Sequence, residues 1–89
     1  MTKFQIDSNQ SAPLSKGLIN QAIDANVFVA QNKHTHRVLV FENLKDAILN
    51  LKGKSEAGRV GAGWVLLTED ADFDDAAKKA EMLEMLEWL

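Results

Sequence analysis

A chain of 89 residues without cysteine forms no disulfide and no thiolate metal site, and its length suits one domain, residues 1–89. At 46% hydrophobic residues it is too apolar for a disordered chain, and a formal charge of −3 disfavours simple electrostatic binding to nucleic acid, which needs Lys and Arg to neutralise phosphates. No apolar run approaches the ~20 residues of a membrane span, and MTKFQIDSNQ lacks the apolar stretch of a signal peptide, so a cytoplasmic protein is expected.

The candidate elements run as follows. Lys3 to Ile6 is a short candidate strand, with Phe4 and Ile6 on one side by period two. Ser11 to Ala25 reads as a helix, with Ser11 as N-cap and Pro13 in the first turn, where its missing N–H costs nothing. Leu14, Leu18, Ile19, Ala22 and Ile23 supply its apolar stripe, and Asn26 is a left-handed stop. Val27 to Gln31 and Arg37 to Glu42 are rich in β-branched and aromatic residues, and a short polar connection around Asn32 to His36 joins them into a hairpin. Both strands are apolar on both faces, which calls for cover on both.

Asn43 to Lys52 reads as a helix, capped by Asn43, with Asp46 suited to the helix dipole and Leu44, Ala47, Ile48 and Leu51 on one face. Gly53 is its expected end, and residues 53 to 63 read as a mobile glycine-bearing loop. Val60 to Thr68 reads as a strand, with Trp64 and Leu66 opposite Val65 and Leu67. Asp72 to Leu89 reads as a last helix capped by Asp72. The expected class is α+β: a small sheet of three to four strands in β-α-β-β-α-β, ferredoxin-like order, extended by a helix at its C-terminal side. In that arrangement the first two helices share one sheet face, and the last helix or a second chain covers the other.

His34 and His36, the two histidines, are one residue apart in the hairpin connection. In an extended segment they would point the same way, as two imidazoles sharing a metal do. Zinc needs three or four protein ligands, so a solvated turn is the favoured reading and no metal or other cofactor is assigned. The serines fall in caps or loops outside any nucleophile elbow, so no catalytic residue is assigned either. Gly53-Lys54-Ser55 does not make a phosphate-binding loop: Ile48 stands where its first glycine belongs, and a helix precedes the segment instead of following it. Lys54 and Arg59, with exposed amides, remain a candidate anion-binding pair.

The stretch RVLVFENLKDAILNLKG, residues 37 to 53, resembles the third strand and second helix of an RNA-recognition motif. The likeness covers under a fifth of the chain and implies base stacking by strand aromatics. Here Val38, Leu39 and Val40 stand at the strand positions and only Phe41 is aromatic.

EMLEMLEWL is the most unusual stretch. Glu81, Glu84 and Glu87 repeat every third residue, and the positions between carry Met82, Leu83, Met85, Leu86, Trp88 and Leu89. One face can cover a sheet, but these large groups span more than one contact requires. Met and Trp are enriched at interfaces. The leading expectation is a non-enzymatic protein acting as an adaptor or inhibitor by protein contact, self-associating as a homodimer. Met85, Trp88 and Leu89 would form the contact, with Glu84 and Glu87 as an acidic rim. The alternatives are a small-ligand module with a pocket between the sheet and Trp64, and a nucleic-acid-binding domain.

Overall fold

The computed structural model describes residues 4–56 and 63–88. The elements are α1 (Lys16–Asp24), β1 (Phe28–Asn32), β2 (Val38–Phe41), α2 (Leu44–Glu56), β3 (Trp64–Leu66), β4 (Ala71–Asp72) and α3 (Ala76–Met85). Single 3-10 turns cover Leu67–Glu69 and Leu86–Trp88. The class is α+β, with an antiparallel sheet in the order β2-β1-β3-β4.

That order does not confirm the ferredoxin-like arrangement. Phe4 to Ile6 forms no strand, and Lys3 lies outside the described residues. Its neighbours reach the sheet through a bridge between Asn9 and Arg37 and through the Val38 N–H, which donates to the Ser8 carbonyl. At the other end Asp70, at φ 51°, reverses the chain after the 3-10 turn. This lets Ala71 and Asp72 pair with Leu66 and Val65 as β4. Asp72 is therefore a strand residue, and Asp75 caps α3 by accepting from Ala77 N and Lys78 N.

Two further boundaries differ from expectation for local reasons. Helix α1 begins after Ser15, whose hydroxyl accepts from Leu18 N, and Ser11 is four residues too early. The intervening segment is claimed from across the chain: the Gln31 side chain bonds the Ala12 carbonyl and Leu14 N–H, holding both out of the helix. Helix α2 runs through Gly53 to Glu56. Its start is as expected, with Asn43 Oδ1 accepting from Asp46 N at 2.8 Å and Asn43 Nδ2 donating to the Asp46 carboxylate at 3.0 Å. The expected loop therefore shrinks, and residues 57–62 lie outside the described residues.

The core is divided by the sheet. On one side Ala47, Ile48 and Leu51 of α2 and Met82 of α3 pack with Ala30, Trp64, Leu66, Ala71 and Phe73. On the other, Ala22 of α1 packs with Val27, Val29 and Val38, joined by Phe4, Ile6 and Leu14. Both strand faces carry packing, as their two-sided apolarity requires, although Val40 of β2 stays 40% exposed. The distribution differs from expectation: α2 shares its face with α3, and α1 takes the other. An RNA-recognition motif reads bases on an open sheet face; here Leu39 and Phe41 pack against the α2–α3 core.

Candidate protein-contact site

The Asp75 cap starts α3 so that Met82 projects into the core at 7% exposure. Leu83, Met85 and Leu86 are half-buried and pack around that same core. Glu81, Glu84 and Glu87 are exposed. The tightening of the backbone into a 3-10 turn at Leu86–Trp88 leaves Trp88 off the packed face, 84% exposed. Of the sequence-expected contact residues, Trp88, Glu84 and Glu87 face solvent, whereas Met85 gives part of its surface to its own core. Leu89 lies outside the described residues.

Only Lys54 of the candidate anion pair falls within the described residues. Lys54, in the last turn of α2, sits with Nζ 5.7 Å from the centroid of the Trp64 ring, and Arg59 lies outside. Trp64 itself is a core residue, 6% exposed, with Nε1 buried and without a hydrogen-bond partner among the described residues.

The histidines lie on the turn between β1 and β2. His36 takes a left-handed conformation, φ 62°, and its carbonyl accepts from Gln31 Nε2. The turn is built by Asn32, which is 1% exposed and whose Oδ1 accepts from His34 N and Thr35 N. The ring of His34 lies against Gly63, which has φ 94°; a Cβ there would stand 2.5 Å from His34 Cδ2. Gly63 thus lets the hairpin tip and the start of β3 approach closely, joined by a bond from Lys33 N to the Gly63 carbonyl.

Sequence reasoning missed the charged group beside this contact. Lys33 Nζ lies 3.1 Å from the Asp72 carboxylate and 3.0 Å from that of Asp74. Asp74 also accepts from Gly63 N. The Lys33 ammonium, aided by that amide, holds the Asp74 carboxyl below the usual carboxylate range, and the two carboxylates hold Lys33 above the usual lysine range. The partners are about forty residues apart in sequence, so no local motif announces them. One ammonium shared by two carboxylates, with one net negative charge left over, ties the hairpin to β4 and the segment after it. No group of three or more His, Asp or Glu residues able to hold a metal is found among the described residues.

Among the described residues, the surface hollows include two that Trp64 does not line. One runs between Phe4–Asp7 and Val40. The other, of about 280 Å³, lies between the end of α1, the start of β1 and the 3-10 turn after β3. No helix among the described residues is long and apolar enough to cross a membrane. The chain has no match among protein-family models, curated proteins or solved structures.

Proposed function

We propose that this protein is non-enzymatic and acts by protein–protein contact, associating with itself through the segment that ends α3. Trp88 is the anchor, the free surface of Met85 and Leu89 its flank, and Glu84 and Glu87 an acidic rim. The observation that carries this reading is the 84% exposure of Trp88 beside neighbours that pack inward. A tryptophan left in water keeps the largest apolar side chain uncovered, and buried tryptophans dominate interface energetics. The cytoplasm is the compartment this reading assigns, on the strength of the cysteine-free chain.

Sedimentation of the wild type and of Trp88→Ala tests it. Truncating an interface tryptophan costs about 2 kcal/mol, a roughly thirtyfold loss of affinity. The variant should therefore shift toward monomer while circular dichroism still reports a folded chain. Because Trp88 buries little within its own chain, the melting temperature of the isolated monomer should hardly change. A wild type that stays monomeric at high concentration overturns self-association.

A further inference from the structure

We infer that the surface receiving Trp88 of one copy is the outer face of α2 on a second copy, centred on Leu49 between Lys45 and Lys52; this rests on the self-association proposed above. Trp88 and Leu49 are both large apolar side chains left in water, 84% and 47% exposed. Around them the chain sets the same arrangement with opposite charge. Leu49 has Lys45 one turn before it and Lys52 three residues after it, on the same helix. Trp88 has Glu84 four residues before it and Glu87 beside it. Lys45, Glu84 and Glu87 are exposed and Lys52 is half-buried. Among the described residues no ion pair engages any of these four groups. Each is thus open to a charge supplied by another chain.

Charge selects this surface over the others the chain offers. The remaining exposed large apolar side chains among the described residues are Ile23 and Val40. Ile23 adjoins Asp24 and shares a hollow with Glu69, and Val40 shares one with Asp7, so both would set carboxylates against Glu84 and Glu87. Helix α3 is a poor counter-surface for itself. The antiparallel register that brings Lys78 opposite Glu87 also brings Glu81 opposite Glu84, because the two pairs share a midpoint. On α2 the acid next to Lys45 is Asp46, which is already engaged by the Asn43 side chain and N-cap. Packing Trp88 on Leu49 removes apolar surface of both from water, and a lysine ammonium over the indole face adds a cation–π attraction. Helices α2 and α3 lie on the same side of the sheet, so their outer faces point away from it together. A two-fold axis then sets α2 of each copy on α3 of the other, and one patch supplies both halves of the contact.

Charge reversal on the full chain, read by sedimentation equilibrium, tests this. Lys45→Glu with Lys52→Glu sets acid against acid in both contacts, and Glu84→Lys with Glu87→Lys sets base against base. Each double variant should self-associate at least about tenfold more weakly than the wild type. An equimolar mixture of the two should associate again, because in the mixed dimer both contacts regain opposite charges. That recovery also shows that neither variant lost affinity by failing to fold. Lys16→Glu with Arg37→Glu makes the same change in net charge away from α2 and α3, and should associate as the wild type does. A mixture that stays monomeric overturns the proposal, as does a control that weakens as much as Lys45→Glu with Lys52→Glu. If the α2 variant associates like the wild type while Trp88→Ala dissociates, the α2 surface is excluded and self-association through Trp88 stands. A wild type that is monomeric at high concentration removes both.

Discussion

Gln31 is 4% exposed, and its amide group accepts from Leu14 N and donates to the carbonyls of Ala12 and His36. A single buried side chain thus fastens the segment before α1 to the hairpin. Replacing it with leucine keeps the volume but strands an N–H and two carbonyls in a partly buried place. At about 1 kcal/mol for each orphaned group, Gln31→Leu should destabilise the fold by about 3 kcal/mol. Urea unfolding measures this directly, and a loss under about 1 kcal/mol would mean that water replaces the amide. The clamp of Lys33 with Asp72 and Asp74 is more exposed and acts through pH. The Asp74 carboxyl is lowered in the folded state, so its contribution is complete above the unfolded value and is lost as pH falls through the folded one. The wild type should therefore melt above Asp74→Asn by a constant margin over about pH 5–7, and the margin should shrink below about pH 4. A margin that widens toward acid would contradict the sign of the shift.

At the scale of elements, α2 shows how a helix can outrun its apparent stop. Gly53 takes no left-handed conformation, and a Cβ built there meets nothing within 4 Å. It lies in the helix as a flexible residue with no steric duty. Gly53→Ala should accordingly stabilise the chain by about 0.5 kcal/mol, raising the melting temperature by roughly 3 °C. A decrease would show that the helix ends at Gly53 in solution, as its sequence alone suggests. Asn26 is the contrasting case. It sits at φ 58° directly after α1, where the Val27 N–H returns to the Ala22 carbonyl, so the local stop signal and the observed turn coincide.

For the molecule as a whole, two small cores on opposite sides of one short sheet must stabilise a chain of 89 residues. A domain of this size buries only about 60–65% of its unfolded surface, so an external contact adds a large fraction of its stability. If Trp88 joins two copies, folding and association are linked, and melting should depend on concentration. Calorimetry over a hundredfold concentration range should show the wild type melting higher as concentration rises, by several degrees, with Trp88→Ala nearly insensitive. Equal insensitivity in both would place the exposed tryptophan outside any self-contact.

What the residue order determined by itself was local. The cap of Asn43 with Asp46, the stop at Asn26, the β1–β2 hairpin and the need to cover both faces of its strands all rest on groups within a few residues of one another. Glu84 and Glu87 stand at exposed positions between the apolar residues of the last helix, whereas the exposure of Trp88 comes with the 3-10 turn at Leu86–Trp88. Tertiary structure alone decided the rest. Ser15 displaces Ser11 as the cap of α1 because Gln31, from the next strand, takes the backbone groups between them. Ala71 and Asp72 become a strand because β3 offers them an open edge, and Phe73 is thereby carried into the core at 1% exposure instead of onto a helix. Met85 turns partly inward because α3 lies beside α2 on the same side of the sheet. Hydrogen bonding and burial between residues far apart in the chain settle these points, and neither leaves a periodic or spaced signal along it.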